Sequence, residues 1–372
     1  MSTDVSLLSS DLVDDLRATV RALLADRCPP EAVAACADGD RSVVADLWRS
    51  VAVELGLAGL LVPEDLGGHG AGHREVAVVA AELGAAVAPV PFLTSSVLAT
   101  ATLLEAGSPA AAGLVGRLAT GDATAVLVLP WTAHGDAWAA PRDRASVEVR
   151  SVAGAVDAEV LLVPVATDDG TEVRAVDVAS SGVLVRPVVS LDMSRQVADV
   201  VVDLGRDAGE VVVGADRGRD AVRRALRAAT AALAAEQAGL ARSSLTSTVG
   251  YLGQRRQFGR VVGGYQALKH RLADVYVETE STDAVATWAA ATLDDVTDED
   301  ECDLAVAVAA AYCADAAVHA AEEEVQLHGG IAITWEHSAH LRLKRAKSDQ
   351  LALGSPEAHR QTVARLADLA PA

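Results

Sequence analysis

The stretch "RDAVRRALRAATAALAAEQAGLARSSLTSTVGYLGQRR", from Arg219 to Arg256, repeats apolar residues at helical spacing for more than thirty residues. A helix of that length carries an Ala/Leu stripe it cannot bury alone, so it demands partner helices from this chain or another. Residues 1 to about 120 also read as helices. "SSDLVDDLRATVRALLADR" opens with Ser and Asp caps, and "SVVADLWRSVAVELGLAGLLVP" and "HREVAVVAAELGAAV" behave alike around the loop "PEDLGGHGAG". From about 121 to 210 the period becomes that of strands. Six short β-branched runs, "TAVLVLP", "SVEVRSV", "AEVLLVPVA", "EVRAVDV", "GVLVRPVV" and "VADVVVDL", predict a small β-barrel or sandwich. Helices return from Arg217, with two or three expected after the long one. The order excludes a Rossmann alternation and a TIM barrel. The expected fold is mainly α with a β-barrel middle domain: a helical domain over 1–120, a β-domain over 121–212 and a helical bundle over 213–372.

Composition limits what such a fold can bind. The 372 residues are 51% hydrophobic, so the chain folds into packed cores. Fifty-two acids against 31 bases give a charge of −21, which repels nucleic acid and anionic membranes. Lys occurs only at 269, 344 and 347, so positive charge is nearly all Arg, the better fork for phosphate oxygens. The four cysteines show no CxxC spacing and read as reduced thiols of a cytoplasmic protein. The N-terminus lacks a basic-then-apolar signal pattern. Ala85 to Leu104 is uncharged and long enough to span a bilayer, but Pro89, Pro91, Thr94, Ser95 and Ser96 make it a buried turn between helices, and no membrane insertion is expected.

Among motifs, His328, His337 and His340 beside Glu336 lack the spacing of a metal site, and no metal is assigned. Gly67 to Gly72 reads as a surface loop. No GxSxG, HExxH or Walker pattern occurs. Two segments favour anions: Gln254 to Gln266, and Gln326 to His340 with its Gly329-Gly330 pair. An Arg pair beside Phe258 and Gly259 suits a pyrophosphate, with the ring packing on a flat heterocycle.

Four segments, in order, resemble the acyl-CoA dehydrogenase family: "LGLAGLLVPEDLGGHG", "LDMSRQVADVVVD", "YLGQRRQFGRVVGGYQALKHRLADV" and "VQLHGGIAITWEHSAHLRLKRAK". The resemblance implies three domains, a tetramerising C-terminal bundle and FAD lying across a subunit interface. It assigns Arg255 to the pyrophosphate, with Gln257 and Phe258 beside it, and Gln266, Gln326, Gly329 and Gly330 to the adenosine side. These residues would act on a neighbouring subunit's FAD.

The half that would serve this chain's own flavin departs from the family. Its T-E-P-x-x-G-S-D and W-I-T-N motifs are absent from "VLPWTAHGDAW" and "VRSVAGAVDAEV", where only Pro130, Gly135 and Asp136 remain. The position of the family's catalytic Glu falls on Leu353, and the alternative base position on Ala229. Neither can accept a proton. The resemblance is therefore to the non-catalytic subunit of actinobacterial heterotetrameric, steroid-type acyl-CoA dehydrogenases. Its partners would be a homologous catalytic subunit in an α2β2 complex, an acyl-CoA substrate and an electron-transfer acceptor. Alternatives are a self-sufficient flavoenzyme with a non-standard base, Asp349 or Glu236, and a flavin-free structural homologue.

Overall fold

The computed structural model describes residues 5–7, 10–141 and 146–369. Six helices come first: α1 (Asp11–Arg27), α2 (Pro30–Ala37), α3 (Ser42–Arg49), α4 (His73–Ala85), α5 (Thr100–Leu104) and α6 (Pro109–Ala119). Ser10 and Ser108 cap α1 and α6, accepting the N–H groups of Val13 (3.3 Å) and Ala111 (3.1 Å). The helical pattern after α3 stops earlier than its periodicity suggests. A π-helical turn over Ser50–Glu54 ends it, and Gly56 then turns left-handed at φ 70°. Ala85 to Leu104 is likewise only partly a turn. Val87 reverses the chain at φ 51°, and Phe92–Ala99 forms a buried π-helical stretch running into α5.

The middle region holds β1 (Ala125–Leu127), β2 (Ser146–Ala153), β3 (Val160–Thr167), β4 (Gly170–Asp177), β5 (Val183–Val188), β6 (Val197–Asp203) and β7 (Glu210–Val213). One sheet runs β1-β3-β4-β7 and the other β2-β6-β5, all antiparallel except β1 with β3. Val147 and Val149 of β2 and Val200 and Val202 of β6 share one core with Leu161, Val163 and Val165 of β3. The two sheets thus enclose a sandwich-like core. A bulge between Val149 and Val152 puts Ser151 at φ 56°, and its carbonyl accepts the Trp131 N–H at 2.9 Å.

The C-terminal region opens with α7 (Gly218–Gln254), whose 37 residues span roughly 55 Å. A hairpin of β8 (Arg256–Gln257) and β9 (Arg260–Val261) follows, then α8 (Gln266–Asp295), α9 (Glu299–His328), α10 (Ala339–Asp349) and α11 (Pro356–Leu366). α4, α8 and α9 pack on α7, so the chain itself supplies the partners the long helix requires. A Cβ at Gly239 would lie 1.8 Å from the Ala81 carbonyl oxygen, and one at Gly84 2.2 Å from that of Glu236. Backbone contact between α4 and α7 therefore carries Glu236 into the junction. The stretch Glu299–Ile333 is apolar and long enough to cross a membrane, but 72% of its most apolar window is buried inside the fold, as for a core helix.

α4 begins on Gly72, which has no side chain to cap it. Asp294, near the end of α8, does so instead, accepting the N–H groups of His73 (2.7 Å) and Arg74 (3.1 Å). Asp294→Ala is expected to lower the unfolding free energy by about 1 kcal/mol, the usual cost of a lost cap. The urea midpoint should fall with the m-value unchanged; an unmoved midpoint would refute the cap.

Candidate functional site

α7 ends where Arg255 leaves helical geometry, and the hairpin turns back at once. Phe258 (φ 50°) and Gly259 (φ 76°) form its left-handed tip. The turn throws the Phe258 ring outward, 90% exposed, while Arg260 folds back over Tyr265 at 3.6 Å. Arg255 and Gln257 are exposed as well, and the Arg255 guanidinium has no ion-pair partner among the described residues. An unpaired guanidinium beside an unpacked aromatic ring offers a charge and a flat apolar face to something outside this chain.

The second anion-friendly segment is tied to the first. Tyr251, four residues before Arg255, stacks on His328 at 4.4 Å between centroids, and Gly329 follows His328. Gln326, Gly329 and Gly330 are exposed at that end of α9, and Gln266 is exposed at the start of α8, its amide 3.4 Å from His270 Nε2. His328 and His337 pack ring on ring at 4.6 Å. Among the described residues no cluster is arranged to hold a metal.

The two positions that the resemblance assigns to a base are both buried. Ala229 is fully buried in α7, and Leu353 is 1% exposed. The Leu353 N–H donates to the Trp131 carbonyl (2.8 Å), and its own carbonyl lies 3.1 Å from His359 Nε2. Burial and the neighbouring His134 lower the His359 pKa to about 4, leaving it neutral. Beside this segment lies a cavity of about 350 Å³ lined by His134, Asp136, Arg227, Thr230, Asp303 and His359, among others. Its two carboxylates are both paired, Asp136 with Arg219 (3.3 Å) and Asp303 with Arg227 (3.2 Å). Neither Glu236 nor Asp349 lines it.

Those two carboxyls belong instead to a buried ionic cluster joining the β-region to α7 and α10. Arg195 donates to Glu236 Oε1 (2.5 Å) and Oε2 (2.7 Å) and to Asp349 Oδ1 (2.5 Å). Arg345 donates to Glu236 (2.6 Å), to Ser194 Oγ (2.8 Å) and to Asp192, which also accepts from the Ser194 hydroxyl. The Arg195 guanidinium sits 5.2 Å over the Trp131 ring. Burial works against charge on Asp192 and Glu236, yet the arginines prevail and hold both below the usual carboxylate range. For Asp349 burial prevails over Arg195 and pushes the pKa well above that range. The geometry alone would make Arg195–Asp349 an ion pair, but two guanidiniums already face Asp192 and Glu236. A third negative charge would stand unbalanced, which is why burial wins at Asp349, whose Oδ2 has no hydrogen-bond partner among the described residues.

Two expectations are thereby corrected. Glu236 is a poor base because two arginines saturate both oxygens of a low-pKa carboxylate. Asp349 fails because it is enclosed: it is 1% exposed, Arg195 holds its Oδ1, and it does not line the cavity. The sequence signal for the cluster was "LDMSRQ", whose Asp192, Ser194 and Arg195 precede a strand, but it named no partners.

The residues present fit the pyrophosphate and adenosine end of FAD, through the unpaired Arg255 and exposed Phe258. A family model for the acyl-CoA dehydrogenase N-terminal domain matches residues 10–122, and one for the acyl-CoA dehydrogenase C-terminal domain matches 216–367. Acyl-CoA dehydrogenase IpdE2 of Mycobacterium tuberculosis (strain ATCC 25618 / H37Rv) is 36% identical over 353 residues, 92% of each chain. A chain of the ChsE4–ChsE5 complex from Mycobacterium tuberculosis superposes with a TM-score of 0.85 at 27% identity, over 99% of this chain and 100% of that one. A chain of the Tcur3481–Tcur3483 steroid ACAD does so with a TM-score of 0.82 at 26% identity, over 96% and 98%. Members of the matched family bind FAD. The chain belongs to the acyl-CoA dehydrogenase family, with its helical, β and helical regions in that fold.

Proposed function

We propose that this chain is the non-catalytic subunit of a heteromeric, FAD-dependent acyl-CoA dehydrogenase, completing the flavin site of a homologous catalytic subunit in an α2β2 complex. The observation that carries this reading is the contrast within one molecule. The pyrophosphate-type arginine and its aromatic neighbour stand free at the surface, while both base positions and both substitute carboxyls are buried and locked. When bound, FAD accepts the hydride from the acyl-CoA. This chain's Arg255 neutralises pyrophosphate charge, Phe258 covers the cofactor's flank, and Gln266, Gln326, Gly329 and Gly330 line the adenosine side. Proton abstraction falls to the partner.

Large apolar side chains left exposed on the C-terminal region, among them Tyr276, Val277, Ile333 and Trp335, support an association surface. The similarity to a steroid ACAD supports a bulky acyl-CoA as substrate. Four buried free cysteines support a reducing compartment such as the cytoplasm.

Purified without a partner, the chain is expected to carry no flavin absorbance and to leave acyl-CoA unoxidised. A yellow, active homo-oligomer would refute the proposal.

A further inference from the structure

The turn between α9 and α10 rests on a histidine whose geometry fixes its protonation state. The backbone N–H of Ala339, the first residue of α10, donates to His337 Nδ1 at 3.2 Å. Ser338, the residue in the capping position, makes no side-chain cap bond, so the imidazole does that work. A nitrogen that accepts from an N–H carries a lone pair, so the ring proton sits on Nε2. A second proton on Nδ1 would set N–H against N–H at the positive end of a helix.

The surroundings on balance oppose that proton. From α9, His328 packs at 4.6 Å, its Nδ1 donating to the Glu324 carbonyl at 2.8 Å. The Glu324 carboxylate is already held by Arg342 of α10. From α7 comes the Tyr251 ring, stacked on His328. α10 adds His340 and Lys344, whose ammonium lies 4.1 Å over the Trp335 ring. Glu336 is bound to its own turn through Thr334, and Asp38, after α2, faces His340. Burial and the positive neighbours hold the His337 pKa below its ordinary 6.5, Glu324 opposing only in part.

We propose that His337 is a positioning residue for the Gly329–Trp335 turn, acting only as a neutral imidazole, so that mild acid releases this chain's hold on the adenosine end of FAD. The inference rests on the cofactor reading given above. Tyr251 stacks on His328, and His328 meets His337 at a tilt, so a chain of ring contacts joins the α7 end that presents Arg255 to the turn that presents Gly329 and Gly330, and the His337 cap fixes the start of α10. An unfolded turn takes a proton near 6.5 whereas the folded one does not. Its stability is therefore complete above that value and falls as pH drops below it.

The test compares amide exchange over residues 329–345 in the full chain at about pH 7.5 and about pH 5.5, either side of the ordinary imidazole value, corrected for intrinsic exchange. FAD retention by the co-expressed complex is followed in parallel. Protection at Ala339–Leu341 is expected to fall several-fold in acid, up to about tenfold, the ceiling for one imidazole titrating near 6.5 when unfolded. His337→Asn keeps a capping oxygen that does not titrate and should stay protected at both values. His337→Ala should be unprotected at both. Acid-independent protection in the wild type, or an Asn variant with the wild-type acid loss, overturns the role of His337 alone. Acid loss of protection without loss of flavin overturns the assignment of this turn to the cofactor, and with it the proposed function.

Discussion

Arg345→Ala is expected to destabilise the fold by about 3–5 kcal/mol, because it strips a buried cluster of one of its two positive charges. Arg345 is 2% exposed and bridges Asp192 of the β-region to Glu236 of α7. Its removal leaves Asp192 with only the hydroxyl and backbone N–H of Ser194, and Glu236 with Arg195 alone, among the described residues. The acid response should change too. Asp192 and Glu236 have lowered pKa values, so their contribution is present above the unfolded carboxylate range and is lost as pH falls through the folded values. In Arg345→Ala that loss should begin at higher pH. Should the variant fail to fold, Asp192→Asn offers a milder probe, since it removes charge but keeps a side chain able to accept from Arg345. A denaturant midpoint for both variants equal to wild type would show that the cluster contributes nothing.

Arg255→Ala in the complex is expected to weaken FAD retention by roughly ten- to a hundredfold, the usual range for losing charge-assisted hydrogen bonds to an anion. The fold should be untouched, because the side chain has no ion-pair partner among the described residues and lies on the surface. Arg255→Lys should recover part of the loss, supplying the charge without the planar fork. Equal flavin content in wild type and Arg255→Ala would contradict the assignment of this residue to the cofactor.

The broad architecture was legible because it rests on local periodicity. Alternating runs gave β1 to β6, and sustained helical spacing gave α7. β7 escaped because "EVVV" is only four residues set among Asp and Gly, too short for alternation to declare itself. The β8–β9 hairpin escaped for a related reason. Its strands have two residues each, and a Phe at φ 50° is not a turn signal. Four helices follow α7 where two or three were expected, since α10 and α11 are short and largely polar.

The site was legible only where the chemistry is contiguous. Arg255 to Phe258 stand together in the sequence and at the surface. The ionic cluster is assembled from Asp192, Ser194, Arg195, Glu236, Arg345 and Asp349, and no local pattern records a contact between Arg345 and Asp192, 153 residues apart. Sequence offered Glu236 and Asp349 as carboxyls of the right type on the right elements. Only their surroundings, two arginines around one and an unbalanced burial around the other, shift their pKa values in opposite directions.

Co-expression of this chain with a homologous subunit carrying the catalytic Glu, followed by counting FAD per assembled complex, tests the account most directly. Two flavins per four chains are expected, with turnover of acyl-CoA only in the mixture. Four flavins per four chains, or turnover by this chain alone, would contradict it.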